Sequence, residues 1–150
     1  MKSNEYLEEI NTQEKEFASL YKATAQNFGL TECAMWLLYF VSKSEKPLMQ
    51  LDIAQQTMYP KQTVNSAVAK LVADGLVELK TTAENKKNKY MFLTERGKSL
   101  AQDTVEKMYI AETKAVKSLG RDKMNEYIRL HNEFIAALQS EFEKEGLLNG

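Results

Sequence analysis

The run LDIAQQTMYPKQTVNSAVAKLVADGLVELK, residues 51–80, followed by KYMFLTERGKSL, residues 89–100, decides the fold. Its first part reads as two helices with a turn between them. One fits Leu51 to Thr57, with Leu51, Ile53 and Ala54 facing inward. Pro60 suits the first turn of the next helix, where the N–H that proline lacks has no partner to lose. That helix reads Lys61 to Asp74, buries Val64, Ala67, Val68 and Leu71 at helical spacing, and stops at Gly75. Joined by the few residues around Met58 and Tyr59, the two make a helix-turn-helix. The period then changes. Leu76 to Lys80 reads as a strand, Lys89 to Leu93 as its partner, and the Lys- and Asn-rich segment Thr82 to Asn88 as the hairpin tip. Thr94 caps a further helix, with Glu95 in its first turn.

Upstream, from about Asn4 to Asn27, Tyr6, Ile10, Phe17, Leu20, Tyr21 and Phe28 recur mostly at three- and four-residue steps. They form the single apolar stripe of an amphipathic helix that stops at Gly29. Thr31 caps a second helix, Glu32 to Ser42, which is apolar on most sides (Ala34, Met35, Trp36, Leu37, Leu38, Phe40, Val41) and belongs in the middle of a core. Lys46-Pro47 breaks the chain before a short extended stretch around Leu48. Downstream, the helix capped by Thr94 is expected to continue through Leu100, Val105, Met108, Tyr109 and Val116 to Leu119, and to end at Gly120. A last helix starts at Asp122 and carries Met124, Tyr127, Ile128, Leu130, Phe134, Ile135, Leu138 and Phe142. No repeat or low-complexity linker intervenes, so the 150 residues are expected to form one domain, mainly α with a small β-hairpin.

Composition excludes several classes of function. Hydrophobic residues make up 43% and charged residues 27%, the balance of a globular chain. No apolar run approaches the roughly 18 residues that span a bilayer. Met1 to Glu9 is polar and acidic, unlike a secretory signal, so a cytoplasmic protein is expected. The single cysteine, Cys33, excludes an internal disulfide and a cysteine-based zinc site, and the single histidine, His131, leaves little for metal binding or acid–base chemistry. Pairs such as Glu8-Glu9 and Glu141 with Glu143 read as solvated faces. With no glycine-rich phosphate loop, no Ser/His/Asp set and no metal-ligand spacing, neither catalysis nor a cofactor nor a metal is expected.

Charge placement says more than the net charge of -1. Six cations (Lys80, Lys86, Lys87, Lys89, Arg96, Lys98) face Glu84 and Glu95 between Lys80 and Lys98, whereas the first sixteen residues hold five Glu against Lys2 and Lys15. A local basic patch on a near-neutral chain suffices for a polyanion, because phosphate contacts act over a short screened range. Helix, short strand, helix, turn, helix and basic hairpin is the winged-helix order, and it suits a duplex. An α-helix fits the major groove, and a cationic hairpin tracks phosphates or enters the adjacent minor groove. The outward face of the helix from Lys61 would hold Lys61, Gln62, Thr63, Asn65, Ser66 and Lys70, which donate to phosphates or read base edges. Its N-terminal N–H groups add an anion site.

The two quoted runs resemble the MarR family of bacterial regulators. The matching features are Thr63-Val64-Asn65 in the fourth helix, the Leu71 to Val77 segment with its Gly-Leu-Val ending, Leu93-Thr94-Glu95-Arg96-Gly97 after the hairpin, and the Leu30-Thr31 start of the second helix. The likeness is strong over residues 30–101, the expected DNA-binding lobe, and only patterned over 1–29 and 102–150, the expected dimerisation helices. It implies a homodimer on a pseudo-palindromic operator, with Lys61, Gln62, Thr63, Asn65, Ser66 and Lys70 in the major groove and Lys86, Lys87 and Lys89 on the wing. Apolar-striped end helices that a small winged core cannot cover point to association independently.

Two departures stand out. Where the family's wing carries Asp-Arg-Arg, this chain has Asn85-Lys86-Lys87, which predicts a looser tip with more phosphate contact and less minor-groove reading. Met49 stands where a Thr or Ser usually caps the third helix, so that helix is expected to start frayed or capped in another way. The resemblance also implies a phenolic or amphipathic effector near Phe17, Tyr21, Trp36 and Tyr39, against the simpler reading that an aromatic stripe at helical spacing is core. Equally, the lysines can be a solvated hairpin tip, and the whole chain can be a winged-helix protein–protein assembly module without sequence-specific DNA binding. Cys33 reads as a small buried hydrophobe in preference to a redox sensor, and His131 as a helix-surface or dimer-face residue with no assigned role.

Overall fold

The computed structural model describes residues 1–148 and divides into two compact units, Met1 to Lys107 and Met108 onward. The first unit opens with α1 (Ser3–Phe28), which buries only Ala25, near its C-terminal end. Gly29, at a φ of 69°, ends it in the left-handed conformation, its N–H donating to the last carbonyls. In α2 (Glu32–Lys43) the Thr31 hydroxyl accepts from the Ala34 N–H at 3.2 Å, as its cap position predicts. Met35, Leu37 and Leu38 are wholly buried there, so α2 is the core helix that its composition announced.

Around α2 pack α3 (Gln50–Thr57) and α4 (Lys61–Ala73), contributing Ile53, Val64, Val68 and Leu71 to the same core. Leu51, expected inside, is exposed instead. On a helix of eight residues the inward arc admits Ile53 fully and Ala54 partly, and Leu51 falls outside it. The cap of α3 is a substitute, as the absent Ser or Thr implied: the Asp52 carboxylate accepts from the Met49 N–H at 2.7 Å.

Strands β1 (Val77–Lys80) and β2 (Tyr90–Leu93) pair antiparallel, with Val77 opposite Leu93 and Lys80 opposite Tyr90. Each is one residue shorter than its expected run. The extended stretch at Leu48 adds a third rung, its carbonyl accepting from the Met91 N–H at 2.8 Å. Val77 and Met91 turn inward and tie the sheet to the helical core.

After the sheet comes α5 (Glu95–Asp103). The continuous helix expected from Thr94 to Leu119 is interrupted, because Thr104 takes φ −125° and ψ −91° before α6 (Val105–Leu119) begins. The buried Thr104 hydroxyl donates to the Leu100 carbonyl at 2.6 Å, a side-chain bond that competes with the backbone ladder. In the second unit Gly120, at a φ of 84°, leads into α7 (Arg121–Lys144). Among the described residues α7 buries none, and Tyr127, Ile128, Leu130, Ile135 and Phe142 all stand exposed on it. Arg129 pairs with Glu126 and Glu133 on its surface, which lowers the Glu126 carboxyl below its ordinary range. His131 stacks on Tyr127 with ring centroids 5.9 Å apart.

One joint carries the hairpin. Thr94 caps α5 by accepting from the Gly97 N–H at 3.0 Å, and the same hydroxyl donates to the Gly75 carbonyl at 2.6 Å. Its N–H donates to the Leu76 carbonyl at 3.1 Å. Gly97 lies against that carbonyl so closely that a Cβ there would stand 1.9 Å from the oxygen. Helix propensity alone favours Gly97→Ala by about 1 kcal/mol. The clash is with backbone, so we expect the variant to lose on the order of 3 kcal/mol instead, read as a lower urea midpoint. Thr94→Val should cost about 1–2 kcal/mol through the missing cap. A Gly97→Ala protein as stable as the parent would contradict the joint.

Candidate nucleic-acid interface

All six polar residues of α4 expected to face outward do so: Lys61, Gln62, Thr63, Asn65, Ser66 and Lys70 are exposed. They do not form one flat surface. Lys61 and Asn65 border a concavity of about 240 Å³ shared with Gln50, Leu51 and Ala54 of α3. Thr63, Ser66 and Lys70 border another of about 560 Å³, closed by Thr31, Cys33 and Ala34 at the start of α2. Gln62 borders neither and stands on the crest between them. The helix is therefore a ridge with a furrow on each side, the relief that a groove of a duplex accepts.

Hydrogen bonding grades these side chains. The Ser66 hydroxyl already donates to the Gln62 carbonyl at 2.9 Å, so its lone pairs face outward. Lys70 pairs with Asp74 at 3.3 Å, both well exposed. Such pairs contribute at most about 1 kcal/mol, so a phosphate can take the ammonium over at little cost. Lys80 is similarly held by Glu78, and Lys98 by Glu95. Among the described residues no carboxylate lies within ion-pair distance of Lys61, Lys86, Lys87, Lys89 or Arg96.

The tip that carries Lys86 and Lys87 is ordered, against the expectation of a loose one. Asn85 organises it through both ends of its amide. Its Oδ1 accepts from the Lys87 N–H at 3.1 Å and the Asn88 N–H at 3.0 Å, and its Nδ2 donates to the Tyr90 hydroxyl at 3.2 Å. The Thr82 hydroxyl accepts from the Asn85 N–H, and the Asn85 carbonyl from the Thr82 N–H, each at 3.1 Å. Set against the family's aspartate, asparagine shows only the ion pair that it cannot make, and the turn that its side chain can close goes unseen. The signal is nonetheless local, because an Asn two and three residues before backbone N–H groups is a turn former. Lys86, Lys87 and Lys89 are thus exposed on a fixed scaffold.

The four aromatic residues expected near an effector also come together. Phe17 and Tyr21 of α1 lie with ring centroids 5.3 Å apart, Tyr21 and Trp36 at 4.9 Å, and Trp36 and Tyr39 at 5.4 Å. Phe40 joins them, at 6.0 Å from Trp36. The cluster is half-buried and opens to solvent at Phe17, which is 63% exposed. A third concavity, of about 510 Å³, lies elsewhere, between the end of α2, Leu48, β2 and α5. Cys33 is buried at 5% exposure, its Sγ directed at the Thr63 carbonyl 4.0 Å away, and burial pushes its thiol above the ordinary range. A thiol so held keeps its proton at neutral pH and is a poor nucleophile. Burial also raises the nearby Tyr59 phenol, with Glu32 adding to it. Among the described residues no group of His, Cys, Asp and Glu is arranged to hold a metal ion, and no helix is long and apolar enough to cross a membrane.

Comparison with known proteins follows the same lines. The sequence pattern of the MarR family matches residues 28–87, from the end of α1 to the wing tip. Among curated proteins no sequence relative is found. The fold is similar over 93% of this chain and 98% of the other to a MarR family regulator from Neisseria meningitidis, with a TM-score of 0.75 and 18% identity. A MarR/EmrR family transcriptional regulator from Acinetobacter sp. ADP1 gives 0.68 and 17%, covering 91% and 96% of the two chains. The Staphylococcus aureus MarR in complex with salicylate and kanamycin gives 0.61 and 21%, covering 93% of each. At these identities the structural likeness is one of fold, and that likeness includes the flanking helices. Residues 28–87, which hold the ridge and the wing tip, carry the MarR family's sequence pattern, and the fold as a whole is similar to that of MarR family transcriptional regulators.

Proposed function

We propose that this protein is a transcriptional regulator, a homodimeric repressor that binds a pseudo-palindromic operator through the helix at 61–74 and the wing at 82–89. The observation that carries the reading is the exposed polar ridge of α4 beside an ordered hairpin tip whose Lys86 and Lys87 have no carboxylate partner among the described residues. On this reading Lys61, Lys70, Lys86, Lys87 and Lys89 bind phosphates and supply most of the affinity. Gln62, Thr63, Asn65 and Ser66 read base edges and supply choice.

Dimerisation follows from what the chain leaves uncovered. Tyr6, Leu7, Phe17 and Leu20 on α1 are exposed in the first unit, and Ile110, Val116, Ile128, Leu130 and Ile135 in the second. We assign residues 1–29 and 102–150 to the dimer; the final two lie outside the described residues. A two-fold dimer sets two copies of α4 about 34 Å apart, one turn of B-DNA, which calls for an inverted repeat. The half-open aromatic cluster of Phe17, Tyr21, Trp36 and Tyr39 suits a phenolic or amphipathic effector that relieves repression, as flat rings stack there without displacing core. Salicylate, one of the two ligands in the similarly folded Staphylococcus aureus MarR, is a phenol of this kind. Function in the cytoplasm accords with all of this.

Selection of genomic fragments by the purified protein, followed by sequencing, tests the reading. We expect an enriched inverted repeat; a flat result would favour the protein-assembly alternative. On the selected site, replacing Lys86 and Lys87 by Ala should weaken binding to every sequence and reduce the salt slope by about 0.9 for each phosphate left unneutralised. Gln62→Ala or Asn65→Ala should change the preferred bases and leave the slope alone. Asn85→Ala should lower affinity several-fold with all lysines retained, because the tip loses the acceptor that shapes it. For the dimer, Ile128→Glu with Ile135→Glu should shift the protein to monomer in sedimentation, and an unshifted profile would remove α7 from the interface.

A further inference from the structure

Between α3 and α4 the chain turns on Met58, whose φ of 59° and ψ of 8° lie in the left-handed region. It is the one non-glycine with positive φ among the described residues. A side chain there crowds the neighbouring backbone, and glycine would not. Surrounding groups hold the turn in this shape. The Thr57 hydroxyl donates to the Ile53 carbonyl at 2.7 Å and accepts from the Tyr59 N–H at 3.4 Å, and Pro60 follows with its own φ fixed.

The strain brings Met58 no packing. At 92% exposure it is the most exposed large apolar side chain among the described residues. Glycine would serve the turn better and leave the core as it is. Strain kept at a solvent-facing position is characteristic of a contact made outside the chain.

What lies around it narrows that contact. Met58 sits two residues before Pro60, at the end of α4 where the outward side chains of the first two turns are Lys61, Gln62, Thr63, Asn65 and Ser66. All of these are polar or charged, and each has a phosphate or a base-edge donor or acceptor to meet. An apolar side chain has one counterpart in the major groove, the C5-methyl group of thymine. The long, unbranched methionine reaches it from a turn better than a branched residue does. We infer that Met58 is an apolar reader of a thymine methyl in each operator half-site. The inference rests on the DNA-binding function proposed above and adds a specificity-determining residue outside α4 and the wing.

The test uses the full-length protein and the operator that it selects. Each thymine of a half-site is replaced singly by deoxyuridine, which removes the methyl and nothing else, and affinity is measured for the parent, Met58→Gly and Met58→Gln. We expect one thymine per half-site at which the parent loses roughly four-fold, the effect of one buried methyl. Both variants should already have lost that factor on the thymine operator and be indifferent to deoxyuridine there. Met58→Gly should melt at or above the parent temperature, which separates a missing methyl reader from a damaged fold. A parent indifferent to every replacement, or a variant still sensitive at the same thymine, overturns the Met58 assignment and leaves the regulator reading standing. A parent that selects no duplex overturns both.

Discussion

The wing depends on the meeting of Thr94 and Gly97 with the carbonyls of Gly75 and Leu76. A two-stranded hairpin of four-residue strands is marginal on its own. Here its two ends are fastened to the helices on either side. The Thr94 hydroxyl takes the Gly97 N–H and gives to the Gly75 carbonyl, so one oxygen caps α5 and closes the end of α4. The Leu76 carbonyl receives the Thr94 N–H, and Gly97 offers no atom to obstruct it. Since α4 ends and β1 begins within the residues so bound, the direction of the hairpin is set relative to the helix beside it. The Leu48 carbonyl on Met91 and the buried Val77 and Met91 side chains then keep the sheet from pivoting.

A framework of that kind makes the charge pattern useful. The chain is nearly neutral, and three cations close to the ridge and wing are tied to neighbours, Lys70 to Asp74, Lys80 to Glu78 and Lys98 to Glu95. Each pair is exposed and therefore weak. They hold long side chains off the core side without removing them from service. Lys86 and Lys87 have no such partner among the described residues, but their backbone is fixed by Asn85. An ammonium on an ordered backbone loses less entropy on meeting a phosphate than one on a mobile loop. Asparagine in place of an ion-paired aspartate thus keeps the tip in shape and adds no negative charge beside the lysines.

How far the sequence can be read follows from how local each signal is. Helix starts at Thr31 and Thr94, stops at Gly29 and Gly75, and the period of Val64, Val68 and Leu71 are written within a turn or two of the residues concerned, and the structure agrees with them. The six outward residues of α4 follow from the same period. Leu51, exposed, and Thr104, where α5 breaks from α6, mislead because an apolar or helix-compatible residue takes its role from tertiary surroundings. Asn85 misleads for another reason: a likeness to a family highlights what a residue lacks and draws attention from its own chemistry. Met58 sends no signal at all, since nothing in the letters Thr-Met-Tyr announces a left-handed turn.

The contrast between the two units bears on how such a protein works. The first has a closed core that includes Met35, Leu37, Leu38, Ile53, Val64, Val68, Val77 and Met91. Helix α7 has no buried residue among those described, yet it runs 24 residues with Tyr127, Ile128, Leu130, Ile135 and Phe142 exposed. A helix of that length in water gains little from propensity and needs a covered face. If a second copy supplies the cover, the same contact that stabilises α7 sets the distance between two lobes. Stability and operator spacing then share one interface, and anything that repacks it moves the two ridges on the duplex. On the proposed dimer, a change in the separation of the two lobes would be enough to alter the fit to an inverted repeat.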